Sequence, residues 1–417
     1  MNLKEKLRQL DKSGPPAAPA QPPSRALDDV EAVASMLGGE VVENDSGAFI
    51  RFRYVIPLSR RHGSIELSLI EEISGHSVEA FSKKSVPHSF NLTDAVYIDT
   101  ETTGLAGGTG TYVFLIGAGY IENNNFVIEQ LFLPRLADEL AMLEYLNSLV
   151  SERNGLVSFN GKTFDIPLLV TRCIANRLQP VLNLHQHLDL LHAARRIWKQ
   201  DYGNCRLGTL ESALMGFERY EDIPGEEIPY IYMEFLRYGH TERLTPVLSH
   251  NKLDIASLVA LVIVLAEKVE QRDVSDLPAQ QVQRLARLHA ENKAFERAAE
   301  IFHHMQNHPE LTENEKSQHI LAQAQVQKRL GNFEQAISLW QQSTGFGSLA
   351  LEAFVELAKY YEHREKDFQT ALDYTQKATS ILKTRASLRG QVMMDEAQQL
   401  LQHRAKRLQR KIAKRQK

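Results

Sequence analysis

Between Ala95 and Asn160 the chain alternates strand-like and helix-like segments in an order that few folds accept. AVYID (95–99) is a short apolar run, and TYVFLIGAGYI (Thr111–Ile121) and FVIEQLFLP (Phe126–Pro134) are two more. Asparagines 123–125 sit between the last two, a turn signal of the kind that joins antiparallel strands. ADELAMLEYLNSLV (Ala137–Val150) repeats apolar residues at helical spacing, GLVSFN (Gly155–Asn160) reads as another strand, and FDIPLLVTRCIANR opens a helix. Hairpin strands followed by helix, strand and helix predict an α/β layer with a mixed sheet. LSHNKLDIASLVALVIVLAEKV (Leu248–Val269) predicts a long apolar helix packed on that sheet.

The rest of the chain divides around this block. Residues 1–27 carry five prolines between Pro15 and Pro23 and read as a disordered linker. Residues 28–90 read as a small β-rich region, because AFIRFRYVI alternates apolar and polar side chains from Phe49 to Ile56. The α/β domain is expected over 91–272. An all-helical repeat domain is expected over 275–385: NKAFERAAEIF (292–302), GNFEQAISLW (331–340) and KDFQTALDYT (366–375) superimpose without gaps. Phe295, Phe333 and Phe368 each precede an alanine by three (Ala298, Ala336, Ala371), at separations of 38 and 35 residues. Small residues at a fixed offset let paired helices approach, and stacked pairs bury one continuous core. Residues 386–417 form a basic helix or tail, with eight Lys/Arg and no acid in the last fifteen positions.

Two cysteines, Cys173 and Cys205, make neither a disulfide framework nor a metal knuckle, which fits a reducing cytoplasm. No apolar run approaches a membrane span. A formal charge of −4 leaves nucleic acid open as a partner, depending on where the charges lie.

Chemistry enters where the first strand of the block runs into VYIDTETTGL. Asp99 and Glu101 are two apart on an extended segment and share a face. Such a pair is either solvated at a strand end or held by a cation, since like charges that close otherwise raise one another's pKa. Asp165 in FNGKTFDIPLL opens a helix just after a strand, and Asp254 in SHNKLDIASL lies one helical turn beyond His250. Carboxylates from three distant segments suit hard divalent cations in phosphoryl chemistry. Other polar clusters point elsewhere. His185, His187, Asp189 and His192 read as capping and packing at a helix start. The glycines of GLAGGTG lack the G-K-[ST] of a phosphate loop and read as a turn beside the site.

DTETTG, FNGKTFDIPLL and HNKLD, in that order, resemble the DEDD superfamily of 3′–5′ exonucleases on a ribonuclease H-like fold, over about residues 94–270. GLAGGTGTYVFLIG, HLDLLHAARRIW and the C-terminal helical repeats are most similar to its YprB-like group, and the repeats resemble tetratricopeptide units. The resemblance implies two Mg²⁺ or Mn²⁺ ions. Asp99 would bridge both, Glu101 and Asp254 would hold the one that activates water, and Asp165 would serve the other through waters. His250 would be the general base, and Thr102, Thr103 and Asn160 would touch the terminal nucleotide. HNKLD departs from the histidine-type branch: three residues, not four, separate His250 from Asp254, which is the spacing of the tyrosine-type branch. The expected activity is exonucleolytic hydrolysis of single-stranded DNA or RNA, with the repeats available to a protein partner. The rival expectation is a catalytically inactive binding scaffold acting through the repeats, and a proofreading subunit of a polymerase would share the chemistry.

Overall fold

In a computed structural model the chain is described over residues 29–104, 110–305, 311–389 and 395–416. The proline-rich segment 1–27 and the centre of the glycine loop, 105–109, lie outside the described residues. The chain divides into two compact units: residues 1–72, 91–190 and 210–262 form the first, and 73–90, 191–209 and 263–417 the second.

The first unit is built on a seven-stranded sheet: β1 (Glu40–Asn44), β2 (Gly47–Pro57), β5 (Ala95–Thr102), β6 (Val113–Glu122), β7 (Asn125–Phe132), β8 (Gly155–Ser158) and β9 (Gln186–Asp189). A separate hairpin joins β3 (Arg61–His62) to β4 (Ile65–Glu66). The sheet order is β1-β2-β7-β6-β5-β8-β9. Strands β1 to β5 in this row pair antiparallel, while β8 and β9 run parallel to β5. This is the expected mixed sheet flanked by helices. Asn123 and Asn124 take positive φ of 47° and 60°, the left-handed turn that keeps β6 and β7 in register from Glu122↔Asn125. The alternating run Phe49–Ile56 lies in β2, which pairs along its length with β7, so the strands of the N-terminal β-rich region continue this sheet. The LHQHLDLLH stretch starts as β9 before its helix begins at Leu190.

Helices α1 (Val30–Leu37), α2 (Glu139–Ser151), α3 (Asp165–Ala175), α4 (Ile228–Tyr238) and α5 (Leu244–Glu270) accompany the sheet, the first nineteen residues of α5 lying in this unit. Ala95 to Ile98 of β5 and Val113 to Ile116 of β6 are fully buried, in the pattern of a central strand covered on both faces.

One close approach sets the position of α5. Gly117 lies directly opposite Asp99 in the β5–β6 ladder, and Gly119 opposite Tyr97. A Cβ on Gly117 would stand 2.4 Å from Asn251 Oδ1 and 2.8 Å from Ile255 Cγ1; one on Gly119 would stand 2.5 Å from Ile255 Cγ2. The helix therefore rests on bare backbone, and its Asn251/Ile255 row is seated beside Asp99. Gly117→Ala is expected to destabilise the protein by about 1–3 kcal/mol through overpacking, read as a lowered urea midpoint with an unchanged slope.

In the second unit, helices α6 (Ala279–Glu291), α7 (Phe295–Met305), α8 (Glu313–Leu330), α9 (Phe333–Ser343), α10 (Leu351–Tyr360), α11 (Phe368–Arg389) and α12 (Asp395–Arg415) follow one another. Ala298, Ala336 and Ala371, at the equivalent positions of the three matching segments, are all fully buried, each in a separate apolar cluster. No helix among the described residues is long and apolar enough to cross a membrane.

Candidate metal centre

β5 is the strand at which the sheet changes from antiparallel to parallel pairing, and its ladder with β8 covers only Ala95 to Tyr97. Asp99 and Glu101 project beyond that ladder at the carboxyl end of the strand, where open α/β sheets leave a crevice. Asp165 is the first residue of α3, its side chain accepting a hydrogen bond from the Thr100 hydroxyl. α5 brings His250 and Asp254, one turn apart, over the same strand end.

Of the five predicted residues, Glu101, His250 and Asp254 converge most tightly: one ligand atom from each lies within 4.8 Å of the others. His250 Nε2 is 3.9 Å from Glu101 Oε1 and 3.5 Å from Asp254 Oδ2. Asp99 and Asp165 stand outside that trio, each turned toward a donor: Asp165 to Thr100, and Asp99 Oδ2 to Asn251 Nδ2 at 3.0 Å. The four carboxylates still feel one another. Burial, then the charges of Asp254, Asp165 and Glu101, push the Asp99 carboxyl well above the usual range, opposed by the Asn251 bond. Glu101 is raised in the same way, by burial and by Asp254, Asp165 and Asp222, against Arg219. Burial also raises Asp165 and Asp254.

Three residues that the sequence did not single out complete the arrangement. Asp222, on the loop before α4, has Oδ1 2.7 Å from His250 Nδ1. A carboxylate there fixes the proton on Nδ1, and the Nε2 lone pair then faces Glu101 and Asp254. Arg219 Nη1 also stands 3.3 Å from Nδ1, but both are donors in this tautomer. Its guanidinium, 8% exposed, grips Glu211 with two bonds (Nε to Oε2 2.8 Å, Nη2 to Oε1 2.6 Å) and pairs with both Asp222 (3.2 Å) and Asp254 Oδ1. Glu211, with a side chain 1% exposed, also accepts from Ser257, which contacts His62 Nε2 at 2.8 Å. Burial opposes ionisation of Asp222, yet the hydrogen bond and charge of His250, together with Arg219, hold its carboxyl below the usual range. On the other side of the centre, Gln130 Nε2 donates to Asn251 Oδ1 at 2.9 Å and so orients the amide that meets Asp99.

Asn251 could have been found, since it stands inside HNKLD next to His250. Arg219 and Asp222 gave no signal, because they lie on an irregular loop with no periodicity to mark them, and Glu211, in the short helical stretch Glu211–Met215, stands in no motif.

The predicted substrate residues are engaged locally. Thr102 Oγ1 donates to Gly104 O at 2.9 Å, within the start of the glycine loop, and Thr103 Oγ1 accepts from Tyr112 N at 3.0 Å, which ties that start to its return. Asn160 has φ of +70°, and its backbone N–H donates to Asp189 Oδ1 at 2.9 Å, as Lys162 N does to Oδ2 at 3.2 Å. Asp189 thus shapes the loop that delivers Asp165. His187, buried, pairs with Ser158 Oγ at 2.7 Å, and burial lowers its pKa to about 4. His187 thus packs from strand β9, not from a helix start, while His192 is exposed.

The donor set is almost wholly carboxylate oxygen, with one imidazole. The oxygens come from Glu101, Asp254, Asp99 and Asp165, and of these Asp254 pairs with Arg219, whose other partners are Glu211 and Asp222. Carboxylates gathered in this way, with a single cation among their partners, fit hard divalent cations and offer soft metals no sulfur ligand. Comparison with known proteins agrees with this chemistry. Residues 96–266 match the RNase_H superfamily. Over 333 residues the chain is 31% identical to the uncharacterized protein YprB of Bacillus subtilis strain 168, a stretch that covers 78% of each chain.

Proposed function

We propose that this chain, which belongs to the family of the Bacillus subtilis protein YprB and carries an RNase_H superfamily domain, is a metal-dependent 3′–5′ exonuclease of single-stranded nucleic acid. The observation that carries the reading is the convergence of Glu101, Asp254 and His250 Nε2, with Asp99 and Asp165 as further carboxylates within electrostatic reach. Glu101 and Asp254 would hold one Mg²⁺ or Mn²⁺, and Asp99 and Asp165 would contribute to a second. Such ions, when bound, lower the pKa of water and neutralise charge on the phosphoryl group.

The chain's own part is proton handling and orientation. His250 accepts the proton of the attacking water at Nε2, while its Nδ1–H remains on Asp222, which balances the imidazolium that forms. The new bond joins the water oxygen to phosphorus, and the bond to the 3′ oxygen of the penultimate nucleotide breaks. That oxygen takes a proton from solvent, and a nucleoside 5′-monophosphate leaves. The unusual spacing within HNKLD is compensated by the loop: Asp222 holds the ring from behind. The buried free cysteines support a cytoplasmic location. The buried alanine at each repeat position supports tetratricopeptide-like helix pairs as a surface for a protein partner.

The test is degradation of 3′- and 5′-labelled single-stranded DNA and RNA with Mg²⁺ or Mn²⁺. Shortening from the 3′ end is expected, and Asp222→Asn should lower kcat by about 10²-fold with little change in KM, the size of a general base losing its orientation. A wild type that binds strands and cuts none under either metal would replace this reading with that of a binding scaffold.

A further inference from the structure

α12 places a ledger of charges in view. On its inner side Leu401 and Leu408 are buried, and three cations converge on one acid: Arg404 Nη1 (2.7 Å), Arg407 Nη2 (2.7 Å) and Lys411 Nζ (2.9 Å) all bind Glu362, whose side chain is 0% exposed. Arg415 Nη1 donates to Lys366 O at 2.8 Å. These contacts account for the docking of the helix. They leave Lys406, Arg410 and Lys414, spaced four residues apart on the outer side and all exposed. None of the three meets a carboxylate among the described residues. Single exposed cations without an acid within reach among the described residues occur elsewhere in this unit, as at Lys293 and Arg329, and others pair one turn away, as Lys316 does with Glu313 and Lys359 with Glu356; on α12 three such cations fall in one row.

A row of like charges at i, i+4 spacing works against its own helix. The helix dipole favours Lys414, in the last turn, but not Lys406 and Arg410 further back. No large apolar side chain is exposed between Lys406 and Lys414, and the single exposed Leu400 earlier in the helix falls short of the apolar face of a membrane-surface helix; the charges follow one another about every 6 Å. We infer that the outer face of α12 is a binding surface for the phosphate backbone of nucleic acid, made by Lys406, Arg410 and Lys414. The inference rests on the reading of this chain as one that acts on nucleic acid, and it adds a contact remote in sequence from the metal centre.

The experiment uses the full chain and the variant Lys406→Gln/Arg410→Gln/Lys414→Gln, with a fluorescent single-stranded DNA 20-mer in EDTA, where no cleavage occurs. Binding is titrated between about 50 and 200 mM salt. The wild type should bind with a steep salt dependence. The variant should bind at least about 10-fold more weakly at low salt, with the slope of log K against log salt reduced by about 2, three phosphates' worth for a single strand. Cleavage of a dinucleotide in Mn²⁺, too short to reach a second surface, should match wild type. Equal affinity and slope in the two proteins would overturn the inference even if both cleave, and so would a wild type that binds anionic phospholipid vesicles but not the strand. A wild type that binds more tightly than the variant yet cleaves nothing would keep this surface and remove the exonuclease reading instead.

Discussion

Asp99→Asn should abolish hydrolysis and at the same time make the metal-free protein harder to melt. In the absence of cations the fold holds Asp99, Glu101, Asp165 and Asp254 near one another with their pKa values raised, Asp99 by burial and by the other three charges. A carboxyl whose folded pKa exceeds its unfolded value supports the fold below the unfolded pKa, and that support is lost as pH rises through the folded pKa. At neutral pH the cluster is therefore a standing cost, and the isosteric amide removes part of it while keeping a polar group beside Asn251. A gain of about 1–2 kcal/mol is expected, which is several degrees in Tm for a unit of this size. The gain should shrink as the pH is lowered toward about 4, where the unfolded carboxylates also take up protons. Adding Mn²⁺ should raise the Tm of wild type more than that of the variant, because cation binding stabilises only a fold that can bind it. Activity should fall on the order of 10³-fold or more, given what single lost electrostatic contacts at such sites do. A variant that melts lower than wild type in EDTA would mean that Asp99 is structural.

Arg219→Met should have the largest effect on stability. The guanidinium is the partner of Glu211, whose carboxylate is sealed from water, and it also pairs with Asp222 and Asp254. Removing one member of a buried pair leaves an uncompensated charge and costs about 3–5 kcal/mol. Arg219→Lys keeps the charge but loses the forked bond to Glu211 and should fall between the two. Combining Arg219→Met with Glu211→Gln should restore most of the stability, because the stranded charge is gone. It should not restore activity: Asp222 loses the cation that helps to hold it against His250. Thermal unfolding and a strand-degradation assay on the four proteins separate these effects. Recovery of both properties in the double variant would assign Arg219 to folding alone.

What could be read from the sequence follows from how far each feature reaches. The β6–β7 hairpin was legible because its strands and its Asn turn are contiguous. That Asp99, Glu101, Asp165, His250 and Asp254 fall at one strand end was legible as a candidate site, because each stands in a short motif whose element type is plain. The pairing of β2 with β7 was not, since nothing local in Ile50 to Pro57 names a partner more than 65 positions away. Neither was the grip of Asp222 on His250. That contact depends on the path of an irregular loop, and the loop residues Arg219 and Asp222 carry the same charges that any solvated loop carries. Thr102, Thr103 and Asn160, proposed to touch the terminal nucleotide, have local contacts through two hydroxyls and one backbone N–H, which leave that role to be tested with a strand bound.

The seat of α5 on Gly117 also fixes when the centre can exist. Asn251 and Asp99, which touch, are 152 positions apart. During synthesis at about 5–20 residues per second, the acids of β5 emerge about 8–30 s before the helix that completes their surroundings. Throughout that interval the nascent chain has Asp99 and Glu101 but neither His250 nor Asp254. The candidate centre is therefore assembled only after its strand acids have waited on the ribosome for the helix that faces them.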